Sequence, residues 1–152
     1  MPRRLDEPRM GAWRALVAAH ASLLRRLDRE LEAEHGISMA WYEVLLRLQR
    51  APEGHLTMSE LAGSVFLTPS GLTRLVDRME AAGLVERAAC PSDRRVSWAV
   101  ITAEGRALLR RASVTHLRGI QRHFGRLLDD NEAAVVQTAL EKVAGDLAGA
   151  CK

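Results

Sequence analysis

Along the first stretch of the chain a stripe recurs at Trp13, Leu16, Val17, His20, Leu24, Leu27 and Leu31, with Arg14, Arg25, Asp28, Arg29 and Glu32 off it. That i, i+3, i+4, i+7 rhythm predicts one long amphipathic helix from Arg9 to His35, ended by Gly36. The stripe is longer than a small domain needs, so a partner chain is expected to cover the remainder. Ser38 is placed to cap a second helix carrying Trp41, Val44, Leu45 and Leu48, which stops at Ala51-Pro52.

Thr57-Met58-Ser59-Glu60 reads as a T-x-x-E capping box that opens a short helix with Leu61 and Ala62 inward. Beyond Val65-Phe66-Leu67, Thr68 and Pro69 open another, with the proline at the first helical position, where its missing N–H costs nothing. This helix keeps Leu72, Leu75, Val76 and Met79 on one face and terminates at Gly83. Two short helices joined by a three-residue turn form a helix-turn-helix.

After Gly83 the period falls to two. Leu84-Val85-Glu86-Arg87 reads as a short strand, Cys90 to Arg95 as a turn, and Val96 to Ile101 as the return strand. A two-stranded ribbon hung on a helix-turn-helix is a wing. Thr102 then caps a long helix reaching about Leu128, with Leu109, Leu117, Ile120, Phe124 and Leu127 on one side. Asp129-Asp130-Asn131-Glu132 restarts a last helix striped by Val136, Leu140, Val143 and Leu147. The expected fold is mainly α with a small two- to three-stranded β wing. Residues 9–36 and 103–148 are expected to be dimerisation helices, and residues 38–102 a winged helix-turn-helix lobe.

Composition changes this picture little. At 152 residues, 47% hydrophobic and 27% charged, the chain suits one soluble globular domain. No apolar run is long enough to span a membrane, and no apolar segment follows MPRRLDEPRM as a signal peptide would require, so a cytoplasmic location is expected. The net charge of +3 permits nucleic-acid binding without arguing for it. Of the 22 basic residues all but Lys142 and Lys152 are arginine, the side chain suited to bidentate phosphate and guanine contacts. Cys90 and Cys151 lie far apart and read as free thiols in a reducing compartment. The five histidines fall into no metal-ligand spacing, and no cofactor is expected. No nucleophile elbow, phosphate-binding glycine loop or paired acid and base suggests an enzyme.

Three blocks in fixed order carry a family resemblance: LTMSELA at 56–62, TPSGLTRLVDRMEAAGLVER at 68–87 and DRRVSWAVIT at 93–102. Together they resemble the multiple-antibiotic-resistance regulator (MarR) family, whose wing signature D-x-R-x5-[LI]-T is matched through Ile101 and Thr102. The resemblance implies a transcriptional regulator, most simply a repressor. It would act as a homodimer on an inverted-repeat operator in double-stranded DNA and be released by a small aromatic or phenolic effector.

The second helix of the motif would then lie in the major groove. With its apolar face inward, it presents Ser70, Gly71, Thr73, Arg74, Asp77 and Arg78 outward. Arg74 is one turn in and within reach of a base edge, whereas Arg78 is nearer backbone phosphate. The plain alternative is a solvated face with an Asp77–Arg74 or Arg78–Glu80 ion pair. By resemblance, Arg95 enters the minor groove, Asp93 braces it and Arg94 contacts phosphate. Effectors of this family bind between the dimerisation helices and the lobe, which singles out Trp13, His20, Trp41, Tyr42 and Glu43. A protein-binding winged helix without DNA, or a redox- or metal-responsive regulator using Cys90 or the histidines, is the alternative reading.

Overall fold

The computed structural model describes residues 6–64, 69–89 and 96–149. Helix α1 runs Glu7–His35, with Asp6 accepting from the Arg9 amide at its start and Gly36 left-handed (φ 67°) at its end. Helix α2, Met39–Arg50, is capped by Ser38, whose hydroxyl accepts from the Trp41 amide. Asp28 on α1 accepts from the Met39 amide at 2.6 Å, which fixes where α2 leaves α1.

A short 3-10 turn, Pro52–Gly54, leads into strand β1, His55–Thr57. Helix α3, Met58–Ser64, starts at the capping box in its reciprocal form. The Glu60 amide donates to Thr57 Oγ1 at 3.1 Å, and the Thr57 amide and hydroxyl both donate to Glu60 Oε2 at 2.8 Å. Helix α4 is Pro69–Ala81; the turn before it and the Thr68 cap lie outside the described residues.

Strands β2, Val85–Ala89, and β3, Ser97–Ile101, follow, and the sheet order is β1-β3-β2, antiparallel throughout. The expected ribbon is therefore three-stranded. β1 is three residues long, too short to display a period, and its last residue, Thr57, also serves the capping box of α3. Its pairing with β3 stacks His55 on Trp98, ring centres 4.2 Å apart.

Helix α5 spans Ala103–His123 and stops short of the expected Leu128. Phe124 leaves the helical region (φ −133°, ψ −61°), and a 3-10 turn over Gly125–Leu127 intervenes before α6, Asp130–Gly149. Gly125, a poor helix former, marks the break. Asp129 and Glu132 form a second reciprocal capping box at 2.8 and 3.0 Å. None of these helices is long and apolar enough to cross a membrane.

The core joins Leu31 of α1 and Val44, Leu45 and Leu48 of α2 to Leu61 of α3. To these it adds Leu72, Leu75, Val76 and Met79 of α4, Val85, Ala99 and Ile101 of the sheet, and Leu108, Leu109 and Ala112 of α5. It thus lies within the lobe and at the first half of α5. Thr102 closes it. Its hydroxyl donates to the Gly83 carbonyl at 2.7 Å and accepts from the Gly105 amide at 3.0 Å, while its own amide donates to Leu84 O at 3.1 Å. One residue caps α5 and ties it to the end of α4, which gives the threonine of the wing signature a physical reason.

Further along, α1 and α5 run side by side through a polar seam. Glu34 accepts from the buried Thr115 hydroxyl at 2.7 Å and from Arg118 at 3.4 Å. Glu30 meets His123 at 2.7 Å and Arg122 at 3.3 Å.

Two substitutions separate rigid from yielding neighbours. A methyl group at Gly105 would overlap the Leu84 main-chain carbonyl, which has no rotamer to escape by, whereas at Gly119 it meets only the side-chain ends of Glu30 and Leu27. Gly105→Ala is expected to lower unfolding free energy by about 1–3 kcal/mol, the usual cost of overpacking. Gly119→Ala should lose less, because its helix propensity improves by up to about 1 kcal/mol while the side chains shift. Urea unfolding of both variants checks the order.

The Thr57 amide and then the Thr57 hydroxyl hold the Glu60 carboxyl below the usual glutamate range. The box therefore stabilises α3 fully above the ordinary glutamate pKa, and this contribution fades as pH falls through the depressed native value. The stability gap between parent and Glu60→Ala, followed by denaturant unfolding from neutral to acid pH, is expected to close on acidification.

Candidate nucleic-acid interface

Helix α4 divides cleanly into two faces. Leu72, Leu75, Val76 and Met79 are all buried, and Ser70, Thr73, Arg74, Asp77 and Arg78 are exposed, with Gly71 half-buried between the faces. The partition expected from the spacing holds at every position but Gly71. Among the described residues no hydrogen bond or ion pair holds Arg74 or Arg78, so both guanidinium groups are available to an external partner.

The two acids of this helix are engaged, though with neither Arg74 nor Arg78. Asp77 accepts from Arg87 Nη2 at 2.5 Å, Glu80 Oε2 lies 3.6 Å from Arg87 Nε, and Glu80 Oε1 accepts from the Arg87 main-chain amide at 3.1 Å. The Asp77–Arg74 and Arg78–Glu80 pairs of the plain alternative do not form; both acids share Arg87 across the lobe instead. Arg87 also donates to the Thr73 carbonyl at 3.5 Å, and its Nε, though buried, completes no hydrogen bond of its own.

In the sequence Arg87 falls in a strand and carries no assigned role. The available signal was parity: on β2, Arg87 shares the inward face with the buried Val85, while Glu86 points to solvent. An arginine on an inward face needs an acid, and Asp77 and Glu80 lie one turn apart on the helix it faces.

The wing residues Asp93, Arg94 and Arg95, together with Cys90, lie outside the described residues, as does Cys151. The strands on either side are described, with Ala89 of β2 opposite Ser97 of β3.

Of the five residues singled out for an effector, the fold gathers two. Tyr42 is buried, with its ring 4.6 Å from that of His116 at 39° and its hydroxyl 3.3 Å from Ser113 Oγ. Burial pushes the His116 pKa down, Glu43 pulls it partly back, and His116 Nδ1 is buried without a partner. Trp41 is half-buried against the core. Trp13 and His20 are exposed on the first half of α1. They lie about 22 and 12 Å along its axis from Asp28, where α2 attaches, at a rise of about 1.5 Å per residue. One chain does not bring them to Tyr42. Among the described residues, no group of three or more histidine, cysteine or acidic side chains stands where it could hold a metal ion.

Comparison with known proteins agrees with this geometry. Residues 35–96 match the model of the MarR family. The HTH-type transcriptional regulator YsmB of Bacillus subtilis (strain 168) is 29% identical over 123 residues, covering 81% of this chain and 82% of that protein. AbsC, a MarR family transcriptional regulator from Streptomyces coelicolor, is 33% identical with a TM-score of 0.85, covering 97% of this chain and 99% of its own. Sco3205, a MarR family regulator of the same organism solved in complex with DNA, is 32% identical with a TM-score of 0.87, covering 97% of this chain and 92% of its own. With a third of its residues and nearly its whole length in common with such regulators, and with a helix-turn-helix and winged sheet of the same form, this chain belongs to the MarR family of transcriptional regulators.

Proposed function

We propose that this regulator binds double-stranded DNA as a homodimer, laying α4 of each protomer into successive major grooves of an inverted-repeat operator. The observation that carries the reading is the outward face of α4, where Arg74 and Arg78 are exposed, with no side-chain bond among the described residues, above a fully buried apolar face. Ser70 and Thr73 lie at the same end of the helix, small enough to let its backbone approach the groove. Arg74 reads a base edge, and Arg78 meets phosphate. In the wing, Arg95 enters the minor groove, braced by Asp93, with Arg94 on the backbone. The DNA-bound state of Sco3205 supports this reading. A protein of this kind works in the cytoplasm, where the DNA is, and turns over no substrate.

Dimerisation is supported by what the single chain leaves bare. Trp13, Leu16, Val17 and Leu24 of α1, Leu117 of α5, Phe124 just beyond it, and Val135, Leu140 and Val143 of α6 are all exposed. Between α1 and the end of α5 lies a groove of about 630 Å³, floored by Leu23, Phe124 and Leu127. Exposed apolar side chains in this number, carried on three helices, are what a partner subunit covers. The dimer sets the two α4 helices about 34–36 Å apart, one turn of DNA.

Occupancy of an operator that overlaps a promoter represses it. A small aromatic or phenolic effector seated near Tyr42, Glu43 and His116, where α2 meets α5, favours a dimer whose α4 helices are wrongly spaced. In this reading Trp13, His20 and Trp41 reach the effector, if at all, from the partner or from the rim.

Leu140→Glu with Val143→Glu should give a protomer of about the chain mass, 16.8 kDa, in sedimentation at micromolar concentration, where the parent sediments as a dimer. A parent that sediments as a monomer overturns the dimer.

Arg74→Ala should lose discrimination at one base position per half-site, by about 1–3 kcal/mol, and little elsewhere. Arg95→Ala should weaken binding to every operator and most to those with A·T-rich flanks, because a minor-groove arginine reads width and potential. Operators selected from random DNA, then mutated position by position and titrated against both variants, check the two patterns.

A further inference from the structure

Arg87 ties one strand to three successive turns of the recognition helix. Its guanidinium reaches the Thr73 carbonyl and the Asp77 and Glu80 carboxylates, and its own amide donates to Glu80. It is half-buried, with 29% of its side chain exposed against 57% for Asp77 and 42% for Glu80. Asp77 sits on the exposed face of α4 between Arg74 and Arg78. A free carboxylate there would stand beside phosphate, repelling it and competing for both arginines.

We infer that Arg87 is a positioning residue for DNA recognition. It holds Asp77 and Glu80 toward β2 and away from the phosphates, and it locks the rotation of α4 to the strand that leads into the wing. The inference rests on the proposal that α4 reads DNA, and it names a residue that touches none of the DNA itself. The planar fork matters as well as the charge, since its nitrogens meet acceptors in different directions.

The test compares Arg87→Met, Arg87→Lys and the triple variant Asp77→Asn/Glu80→Gln/Arg87→Met with the parent. Each is titrated with a selected operator at several salt concentrations, and thermal melting is followed in parallel. Arg87→Met frees two carboxylates to pair with Arg74 and Arg78, so about one phosphate contact per protomer is lost; operator affinity is expected to fall at least tenfold and the slope of log K against log salt to shrink by about one per protomer. The triple variant removes both carboxylates as well, and is expected to recover the parent's slope and to bind within about threefold of it. Arg87→Lys keeps the charge and should keep the slope while binding more weakly than the parent.

A merely structural role would move the melting temperature and leave the slope alone. Parental slope and affinity in Arg87→Met, or no recovery in the triple variant, overturns the inference. The parent's own salt-dependent binding, read in the same titration, tests the DNA reading separately.

Discussion

The burial of one face of α4 is the constraint on which the rest depends. Leu72, Leu75, Val76 and Met79 pack against α2, α3 and the sheet, and each contributes about 1.5–3 kcal/mol from the area removed from water. An exposed ion pair contributes only about 0–1 kcal/mol. Packing therefore decides which way the helix faces, and the charged residues take what orientation is left. Since successive residues turn by a fixed angle, burying those four positions sends 70, 73, 74, 77 and 78 outward together. The Arg87 tie then acts within that frame, selecting which of the outward charges remain available.

The structure is also divided along α5. Its first half, through Gly105, Leu108, Leu109 and Ala112, belongs to the core of the lobe. Its second half carries bare Leu117, Phe124 follows it, and Val135, Leu140 and Val143 of α6 are equally uncovered. One continuous helix thus connects the surface that needs a partner to the Thr102 junction with α4. Tyr42, Ser113 and His116 lie on this route, where α2 crosses α5. The His116 ring there lies against Tyr42, and its buried Nδ1 makes no hydrogen bond among the described residues.

Placement rather than total charge makes the interface. From Thr68 to Arg106 six arginines face five acids, an excess of only one, and the chain as a whole carries only +3. The fold separates these charges in space. Asp77 and Glu80 are drawn under Arg87, and Arg74 and Arg78 are left outward, so a nearly neutral segment presents a cationic face. A helix displaying all of its charges equally would have far less pull on a phosphate backbone.

What the sequence by itself determined is what depends on neighbours within a turn or two. The helix periods of α1, α2 and α4, the caps at Ser38 and Thr102, the Thr57–Glu60 box and the left-handed stop at Gly36 are all local, and each appears where its residues predict it. The outward set on α4 was equally legible, because a face follows from spacing alone. The tertiary structure decided what depends on residues distant in the chain. Strand β1 exists because His55–Thr57 meets Trp98–Val100, and its three residues hold no period of their own. Arg87 acquires its role only when β2 is laid beside α4, ten residues back at Asp77. Tyr42 meets His116, and Glu30 meets His123, only because α5 returns along α2 and α1. Periodicity reports which face is buried, but it carries no information about what lies against that face. That choice belongs to the packing of the whole chain.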